Sequence, residues 1–580
     1  MIKKLAKSIR EFKLVSILSP LFILGEAIVE TFIPFILAKL VNEINAGCDL
    51  SVIAKYGGVL VSLAMVSLAF GAAAGYASAK ASGGFARNLR HDLYYKIQSY
   101  SFENIDKFSS SSLVTRMTTD ITNVQMSFMV IIRMAFRAPL MFLFSIVMAY
   151  VMGGSLSTLF VVVIPILVAG LLLIAKNALP SFKRVFKKYD KLNESIEENV
   201  MAMRAVKGFS REEYEKAKFK TAADDICGDF TRAERIVSCT APLFQSCVYS
   251  VMAFVLMFGS KIIIESAGAK MDVGQLSAMI TYGFQILMSL NMLSMVYVMI
   301  TMSSESAHRI AEVLDEESTI HNPENPIKEV KNGDIDFENV SFKYSKKAEK
   351  YALSNIDLHI KSGETVGILG STGSSKTTLI QLISRLYDVT EGELRVGGVN
   401  VKNYDVKELR NQVAVVLQKN LLFSGTIKDN LRWGNKEATD EEIIEACRLA
   451  QAEEFINTFP DKYDTWIEQG GTNVSGGQKQ RLCIARALLK KPKILILDDS
   501  TSAVDMKTDA LIRKGFSQFI PETTKIIIAQ RVASVQDADK IIVMKSGKID
   551  SMGNHEELLK TSRIYKEIFE QQTRGGGENA

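Results

Sequence analysis

Six long runs of apolar residues, separated by polar segments, occupy the first half of the chain. Each run is long enough to cross a hydrocarbon core of about 30 Å as a helix. The pattern therefore predicts six membrane-spanning helices, at Leu14–Leu40, Tyr56–Ala79, Ser127–Tyr150, Ser155–Ala175, Ile236–Ser260 and Val273–Ser304.

The connections between these runs differ in length and charge. Residues 80–126 and 176–235 are long and rich in Lys and Arg, whereas the other three connections are short or carry few basic residues. Because positive charge favours the cytoplasmic side, the long connections, the N-terminus and everything after Ser304 are expected there. Alternating apolar and charged residues in Phe85–Tyr100 and Lys188–Val206 indicate that the membrane helices continue into the cytosol.

The remaining segments complete a five-part division of the chain. Residues 1–13 are basic and amphipathic, which predicts an interfacial helix before a transmembrane domain at 14–314. A polar stretch at 315–333 with two prolines is typical of a linker. Strand and helix patterns then alternate through 334–572, and residues 573–580 form a Gly-rich, flexible tail.

Composition agrees with a protein that is half membrane and half cytosolic. The 580 residues are 47% hydrophobic, and the net charge of +5 is too small for this length to indicate a nucleic-acid partner. The six cysteines are scattered without metal-ligand spacing, which fits a reducing cytosol and not a disulfide framework.

A glycine-rich stretch between an apolar run and a helical pattern has the context of a P-loop. It reads Gly370-Ser371-Thr372-Gly373-Ser374-Ser375-Lys376-Thr377-Thr378. Such a loop turns backbone N–H groups toward phosphates at a helix N-terminus, the lysine adds positive charge, and Thr377 offers a hydroxyl to Mg²⁺. ATP with Mg²⁺ is therefore the expected ligand. Ser375 occupies the position before the lysine where glycine is usual, which costs little if its φ is negative and more if its φ is positive.

Two further motifs follow about a hundred residues later. They are Val474-Ser475-Gly476-Gly477-Gln478-Lys479-Gln480-Arg481 and Ile494-Leu495-Ile496-Leu497-Asp498-Asp499. With the P-loop, these resemble the signature and Walker B motifs of ATP-binding cassette (ABC) proteins. The resemblance implies a multidomain membrane protein, with an all-α six-helix transmembrane domain of the exporter type followed by an α/β P-loop cassette. In that family two cassettes meet head to tail, and each ATP lies between one P-loop and the other cassette's signature.

The resemblance extends to other positions. It implies an adenine-stacking role for Tyr344, a Q-loop role for Gln418 that includes contact with Mg²⁺, and Mg²⁺ binding by Asp498. It also places Glu468 before the signature, the D-loop at Ser502-Ala503-Val504-Asp505, and short coupling helices near Phe102–Ser112 and Gly208–Glu215.

Two catalytic positions depart from the family pattern. The glutamate that polarises the attacking water is Asp499 here, one methylene shorter, and a misplacement near 1 Å can cost about 10²-fold in rate. The switch histidine is Gln530, whose amide can donate a hydrogen bond but cannot carry a proton or positive charge. Both changes predict weak hydrolysis at the site on this chain's own P-loop.

The signature Ser475-Gly476-Gly477-Gln478, by contrast, is intact. We therefore expect one half of a heterodimeric exporter, similar to bacterial multidrug exporters, that completes the partner's site and moves small amphiphilic compounds across the bacterial plasma membrane. The alternatives are a homodimeric exporter of lipid or peptide, and a non-transporting ATP-gated regulator.

Four ionisable residues lie inside the apolar runs, where charge is costly and often functional. Glu26 and Glu30 are four residues apart in the first run, and Arg133 and Arg137 repeat that spacing in the third. Each pair therefore shares one helical face. They are candidates for the lining of a substrate cavity, with helix-to-helix pairing or snorkelling of the arginines as the alternatives.

Overall fold

A computed structural model describes residues 2–345, 348–499 and 504–575. The chain divides into two compact units, which are residues 1–98 with 110–316, and residues 99–109 with 317–580. The first unit is helical throughout. Its helices are α1 Ile2–Leu5, α2 Lys13–Asn45, α3 Leu50–Gln98, α5 Ser110–Thr115, α6 Ile121–Gly153, α7 Thr158–Met201, α8 Met203–Gly208, α9 Glu212–Ser238, α10 Thr240–Glu265 and α11 Val273–Asp315, while α4 Phe102–Phe108 belongs to the second unit.

Five helical stretches among the described residues are long and apolar enough to cross a membrane. One of them, Ser110–Phe182, contains the third and fourth predicted spans, which the turn at Gly154–Ser157 separates. The helices run well past the apolar runs: α3 has 49 residues, or roughly 70 Å at 1.5 Å per residue, against a core of about 30 Å. The helical extensions predicted for the long connections are therefore present.

Polar contacts inside the first unit join helices that are far apart in sequence. The fully buried Tyr282 of α11 donates to the carbonyl of Thr31 in α2 at 2.8 Å, and Ser303 of α11 donates to Ser127 of α6 at 2.7 Å. A buried hydroxyl needs such a partner because an unpaired polar group is costly there. These bonds fix α11 against α2 and α6.

Two short predicted helices differ from expectation. The basic N-terminal segment is not one helix, because it is kinked at Arg10, whose φ is +43°, and Arg10 and Ser8 both contact Asp92 of α3. The segment Gly208–Glu215, expected to form a short coupling helix, is instead a turn followed by the start of α9, and the short helix α8 precedes it at Met203–Gly208. Glu212, Glu213 and Glu215 favour a helix start there because they face the positive end of the helix dipole.

The second unit is an α/β domain with two larger sheets. Its strands are β1 Ile335–Phe342, β2 Leu353–Ile360, β3 Thr365–Gly370, β4 Glu391–Val396, β5 Val399–Asn400, β6 Val413–Val416, β7 Gly425–Thr426, β8 Trp466–Ile467, β9 Ile494–Asp498, β10 Thr524–Ile528, β11 Lys540–Lys545 and β12 Lys548–Gly553. Its helices after α4 are α12 Lys376–Ile383, α13 Val406–Gln412, α14 Ile427–Arg432, α15 Asp440–Leu449, α16 Glu453–Asn457, α17 Gly476–Leu488, α18 Met506–Phe519, α19 His555–Thr561 and α20 Arg563–Gly575.

The larger sheet has the order β12-β11-β3-β10-β9-β6 and is parallel except for β12. Strands β9 and β10 are buried along their whole length, which fits their apolar runs Ile494–Leu497 and Ile526–Ile528. An antiparallel sheet, β2-β1-β4-β5, packs its apolar residues into the same domain. A helical unit followed by an α/β P-loop unit confirms the predicted fold class.

The segment Ser99–Ser109 was expected in the transmembrane domain but belongs to the cassette unit. Ser101 caps α4, and Asn104 donates to the carbonyl of Glu317 at 3.0 Å. Asp106 accepts a 2.6 Å hydrogen bond from the nine-tenths buried Tyr387. Burial and this carboxylate neighbour raise the pKa of Tyr387, so the phenol stays a donor.

Candidate nucleotide site

The topology of the parallel sheet brings the predicted site residues to one edge. Strand β10 lies between β3 and β9, and Ile528 at its end pairs with Ile368 on one side and Asp498 on the other. Strand β6 ends at Val416, two residues before Gln418. Ligands bind at the carboxyl ends of such strands. The P-loop, Gln418, Asp498, Asp499 and Gln530 therefore line one cleft of about 750 Å³.

The phosphate-binding part of this cleft is the turn from β3 into α12. Gly373 has a φ of +82°, which a residue with a side chain rarely adopts. The Lys376 amine donates to the carbonyls of Gly370 at 2.8 Å and Ser371 at 3.0 Å. Burial lowers the pKa of Lys376, although the carboxylates of Asp498 and Asp499 oppose that shift. A cation at the N-terminus of a helix fits a polyphosphate.

Ser375 adopts the less favourable of the two conformations considered from sequence. Its φ is +71° and its ψ is +27°, in the left-handed region. For a residue with a β-carbon that region costs roughly 1–2 kcal/mol relative to its usual conformations. The loop keeps the geometry that glycine would adopt freely, and the serine adds strain to it.

Thr377 and Asp498, the two side chains expected to bind Mg²⁺, lie together beside the loop. The Thr377 hydroxyl is 3.0 Å from the nearer carboxylate oxygen of Asp498, which is 3% exposed. Burial raises the pKa of Asp498, and the negative charge of Asp499 raises it further. The positive charge of Lys376 thus lies near two carboxylates, those of Asp498 and Asp499. The described residues hold no group of three or more His, Cys, Asp and Glu side chains suited to a metal, and Mg²⁺ needs none because it binds one or two carboxylates with phosphate oxygens.

Asp499 is held by amide side chains. The Gln530 amide donates to its carboxylate at 2.7 Å, and the Gln418 amide lies 3.4 Å from the same oxygen. Burial raises the pKa of Asp499, while both amide contacts lower it. Its φ is +48°, which aspartate tolerates better than most residues. A short carboxylate beside a neutral amide can orient water, but the Gln530 amide cannot carry the positive charge of an imidazolium.

Tyr344 lies next to the same helix. Its hydroxyl is 2.8 Å from that of Thr378 in α12, and its ring is edge-on to Tyr387 with centroids 5.2 Å apart. Burial raises the pKa of Tyr344, yet 44% of the residue is exposed. The ring is thus fixed at one end and open at the other, as an adenine platform requires.

The signature residues form the capped N-terminus of α17 and do not line this cleft. Ser475 accepts from the Gln478 N–H at 3.3 Å, and its own N–H donates to the Gln478 side chain at 2.9 Å. This capping box leaves Ser475 and Gly476 exposed at the N-terminus of α17. Among the described residues that line the P-loop cleft, none belongs to the signature.

The remaining motif residues are partly described. Asp505 caps α18 by accepting from the Thr508 N–H at 2.9 Å, and that bond lowers the pKa of Asp505. Ser502 and Ala503 of the expected D-loop lie outside the described residues. Glu468 accepts from the Thr472 hydroxyl at 2.9 Å just before the signature.

Three of the four ionisable residues in the apolar runs form one cluster of ion pairs. Arg137 of α6 contacts Glu26, and its other guanidinium nitrogen lies 2.8 Å from both carboxylate oxygens of Glu30 in α2. Glu26 is buried and the other two are half-buried. Arg133 is exposed and is not part of this cluster. Helix-to-helix pairing, one of the alternatives considered from sequence, is therefore present as one arginine shared by two glutamates.

Comparison with known proteins agrees with this geometry. Residues 16–290 match the family model described as the ABC transporter transmembrane region, and residues 353–502 match the one described as ABC transporter. The chain belongs to the ABC transporter family. Its cassette is accordingly an ATP-binding domain of the kind that couples ATP to transport.

This ABC transporter aligns with its relatives over almost its whole length. It is 35% identical over 570 residues to the uncharacterized ABC transporter ATP-binding protein YfiB of Bacillus subtilis, with 98% of both chains covered. It is 32% identical over 574 residues to Rv1273c of Mycobacterium tuberculosis, with the same coverage. A bacterial Atm1-family ABC exporter with ATP bound is similar in fold, with a TM-score of 0.83, 22% identity, and coverage of 97% of this chain and 98% of that one.

Sequence reasoning missed part of the cleft. Residues of the C-terminal helix α20 line it, and Gln572 in that helix contacts the backbone of Gln530 and Val532. The sequence there predicts a polar helical end and contains no motif. The amphipathic spacing of Ile564, Ile568 and Gln572 is the one signal that could have placed this helix against the domain.

Replacing Ser375 with glycine should relieve the strain at φ +71°. We expect Ser375→Gly to raise the free energy of unfolding of the cassette by about 0.5–1 kcal/mol, since part of the gain is lost to backbone entropy. Thermal unfolding with and without Mg²⁺-ATP measures this. Ser371→Gly is the matched control because Ser371 does not have a positive φ, and an equal gain there would contradict the interpretation.

Removing Arg137 should leave two carboxylates without their cation. We expect Arg137→Gln to lower stability in detergent by about 1–3 kcal/mol, less than the roughly 3–5 kcal/mol of fully buried pairs because the cluster is partly exposed. Arg133→Gln should change stability by less than about 0.5 kcal/mol. Thermal unfolding of both variants in detergent measures this difference. Equal losses of stability in Arg137→Gln and Arg133→Gln would refute the shared-arginine arrangement.

Proposed function

We propose that this ABC exporter chain is one half of a heterodimer in the bacterial plasma membrane, with its cassette in the cytosol. ATP bound to its own P-loop turns over slowly and serves mainly to hold the two cassettes together. Hydrolysis takes place at the partner's P-loop against this chain's signature. The transported compounds are amphiphilic or hydrophobic.

One contrast within the cassette carries this proposal. The cleft on the P-loop has Asp499 held by a neutral amide, and strain at Ser375. The signature helix, which serves the opposite cassette in this family, keeps its full capping box and exposed N-terminus. Such an N-terminus presents backbone N–H groups and the positive end of a helix dipole to a phosphate. The chain is therefore better equipped to complete a partner's site than to hydrolyse its own ATP.

The substrate class has separate support in the helical unit. An apolar cavity of about 290 Å³ lies between α10 and α11, lined mainly by residues such as Val248, Met252 and Phe284. The hydroxyl-bearing side chain of Thr281 is the polar member of this lining. A mainly apolar lining with a few polar groups is typical of sites for amphiphilic molecules.

Substitutions on the two sides of the cassette should have unequal effects. In the complex purified with its natural partner, Gly477→Asp in the signature should lower ATPase activity and efflux of a fluorescent amphiphilic dye by at least about tenfold, because an added carboxylate repels the γ-phosphate. Asp499→Ala should change both rates by less than about twofold, because that residue contributes little to turnover. Both are measured in reconstituted vesicles.

The alternatives give different outcomes in the same assay. A homodimer would lose activity with either substitution, since its two sites are identical. An ATP-gated regulator would show dye flux that continues when turnover is blocked. Nucleotide binding and thermal unfolding of each variant are the controls for correct folding.

A further inference from the structure

The C-terminal helix α20 lies along the nucleotide cleft. Ile564, Ile568 and Gln572 are spaced by four residues and so share one face of this helix. Ile564 and Ile568 line the cleft and pack against the core of the domain. Tyr565 is fully buried, with its hydroxyl 2.6 Å from the His555 ring of α19. The helix is therefore anchored to the domain at a fixed position.

Gln572 connects this helix to the segment that follows β10. Its side-chain oxygen accepts from the Val532 N–H at 2.8 Å, and its side-chain nitrogen donates to the Gln530 carbonyl at 2.8 Å. One amide group thus holds both ends of the three-residue segment 530–532. Both bonds are made to backbone atoms of the segment. They therefore fix its position independently of the conformations of its side chains.

The side chain of Gln530 then reaches the site. Its amide donates to Asp499 at 2.7 Å, and Gln418 lies 3.4 Å from the same oxygen. The position of the Gln530 backbone limits where its amide can reach, and a misplaced backbone weakens this bond because hydrogen bonds depend on distance and angle. The path from α20 to Asp499 is continuous through Gln572 and Gln530.

We propose that Gln572 is a positioning residue that holds Gln530 on Asp499, and that α20 thereby sets how long ATP stays on this chain's P-loop. The inference rests on the proposed function, in which that ATP is retained and turns over slowly. The helix acts through the switch position and does not itself contact the reacting phosphate.

The test is the dwell time of nucleotide on this chain. The full complex is loaded with Mg²⁺ and 8-azido-ATP, chased with unlabelled ATP, and photolabelled at intervals, and the label on this chain is resolved by gel. Gln572→Ala should shorten the dwell time by about three- to tenfold, since each net hydrogen bond changes an equilibrium by a factor of a few. Hydrogen exchange at the Val532 amide should quicken in the same variant.

Two variants serve as controls. Thr573→Ala alters the next residue of α20, whose hydroxyl donates to Phe569 in its own helix, and should leave dwell time and exchange unchanged. Gln572→Glu keeps the acceptor for Val532 but loses the donor for the Gln530 carbonyl, so an intermediate dwell time is expected.

The outcomes separate the two proposals. If the wild-type complex retains no ATP on this chain, the proposed function fails and this inference fails with it. If ATP is retained and Gln572→Ala holds it as long as wild type, the inference alone is overturned. An equal loss in Thr573→Ala would assign the effect to general loosening of α20 and would also overturn the role of Gln572.

Discussion

The parallel register of β6, β9, β10 and β3 is the constraint on which the nucleotide site depends. Because these strands run in the same direction and end together, residues from four distant parts of the sequence reach one cleft. None of the four segments could form the site alone. Slippage of β10 by one residue would move Gln530 away from Asp499 and turn every buried side chain of that strand to the other face.

Within that frame, the proposed function separates the holding of ATP from its cleavage. The groups expected to bind ATP are Lys376 at the loop, Thr377 with Asp498 for Mg²⁺, and Tyr344 with its ring partly open. The groups for cleavage are altered, since Asp499 is short and its partner Gln530 is neutral. Binding and hydrolysis depend on different side chains, so a chain can keep the first and lose the second.

Much of this could be predicted from sequence because motifs carry their own geometry. The P-loop, signature and Walker B residues lie where their spacing indicates, and the apolar runs fall in the long helices of the first unit. The backbone conformation of Ser375 could not be predicted, because a sequence identifies the residue but does not determine the sign of its φ. The contacts of Arg137 could not be predicted either. Helical spacing places Arg133 and Arg137 on one face but does not indicate which of them contacts a neighbouring helix.

Contacts made across long sequence separations explain the other differences. The segment Ser99–Ser109 joins the cassette unit through Asp106 and Tyr387, which are 281 residues apart. Gln572 is 40 residues from the Val532 amide that it accepts from, and no periodic pattern connects them. Local propensity and hydrophobic pattern cannot encode such pairs, because the partners are chosen by the folded arrangement of the strands.

In the proposed function, this chain's P-loop retains ATP without cleaving it at the rate of transport. The most direct measurement is a single-turnover experiment on the purified complex, in which nucleotide crosslinked to this chain is recovered and assayed as ATP or ADP. We expect the nucleotide on this chain to remain mostly ATP while that on the partner becomes ADP. Conversion to ADP on this chain at the same rate as on the partner would contradict it.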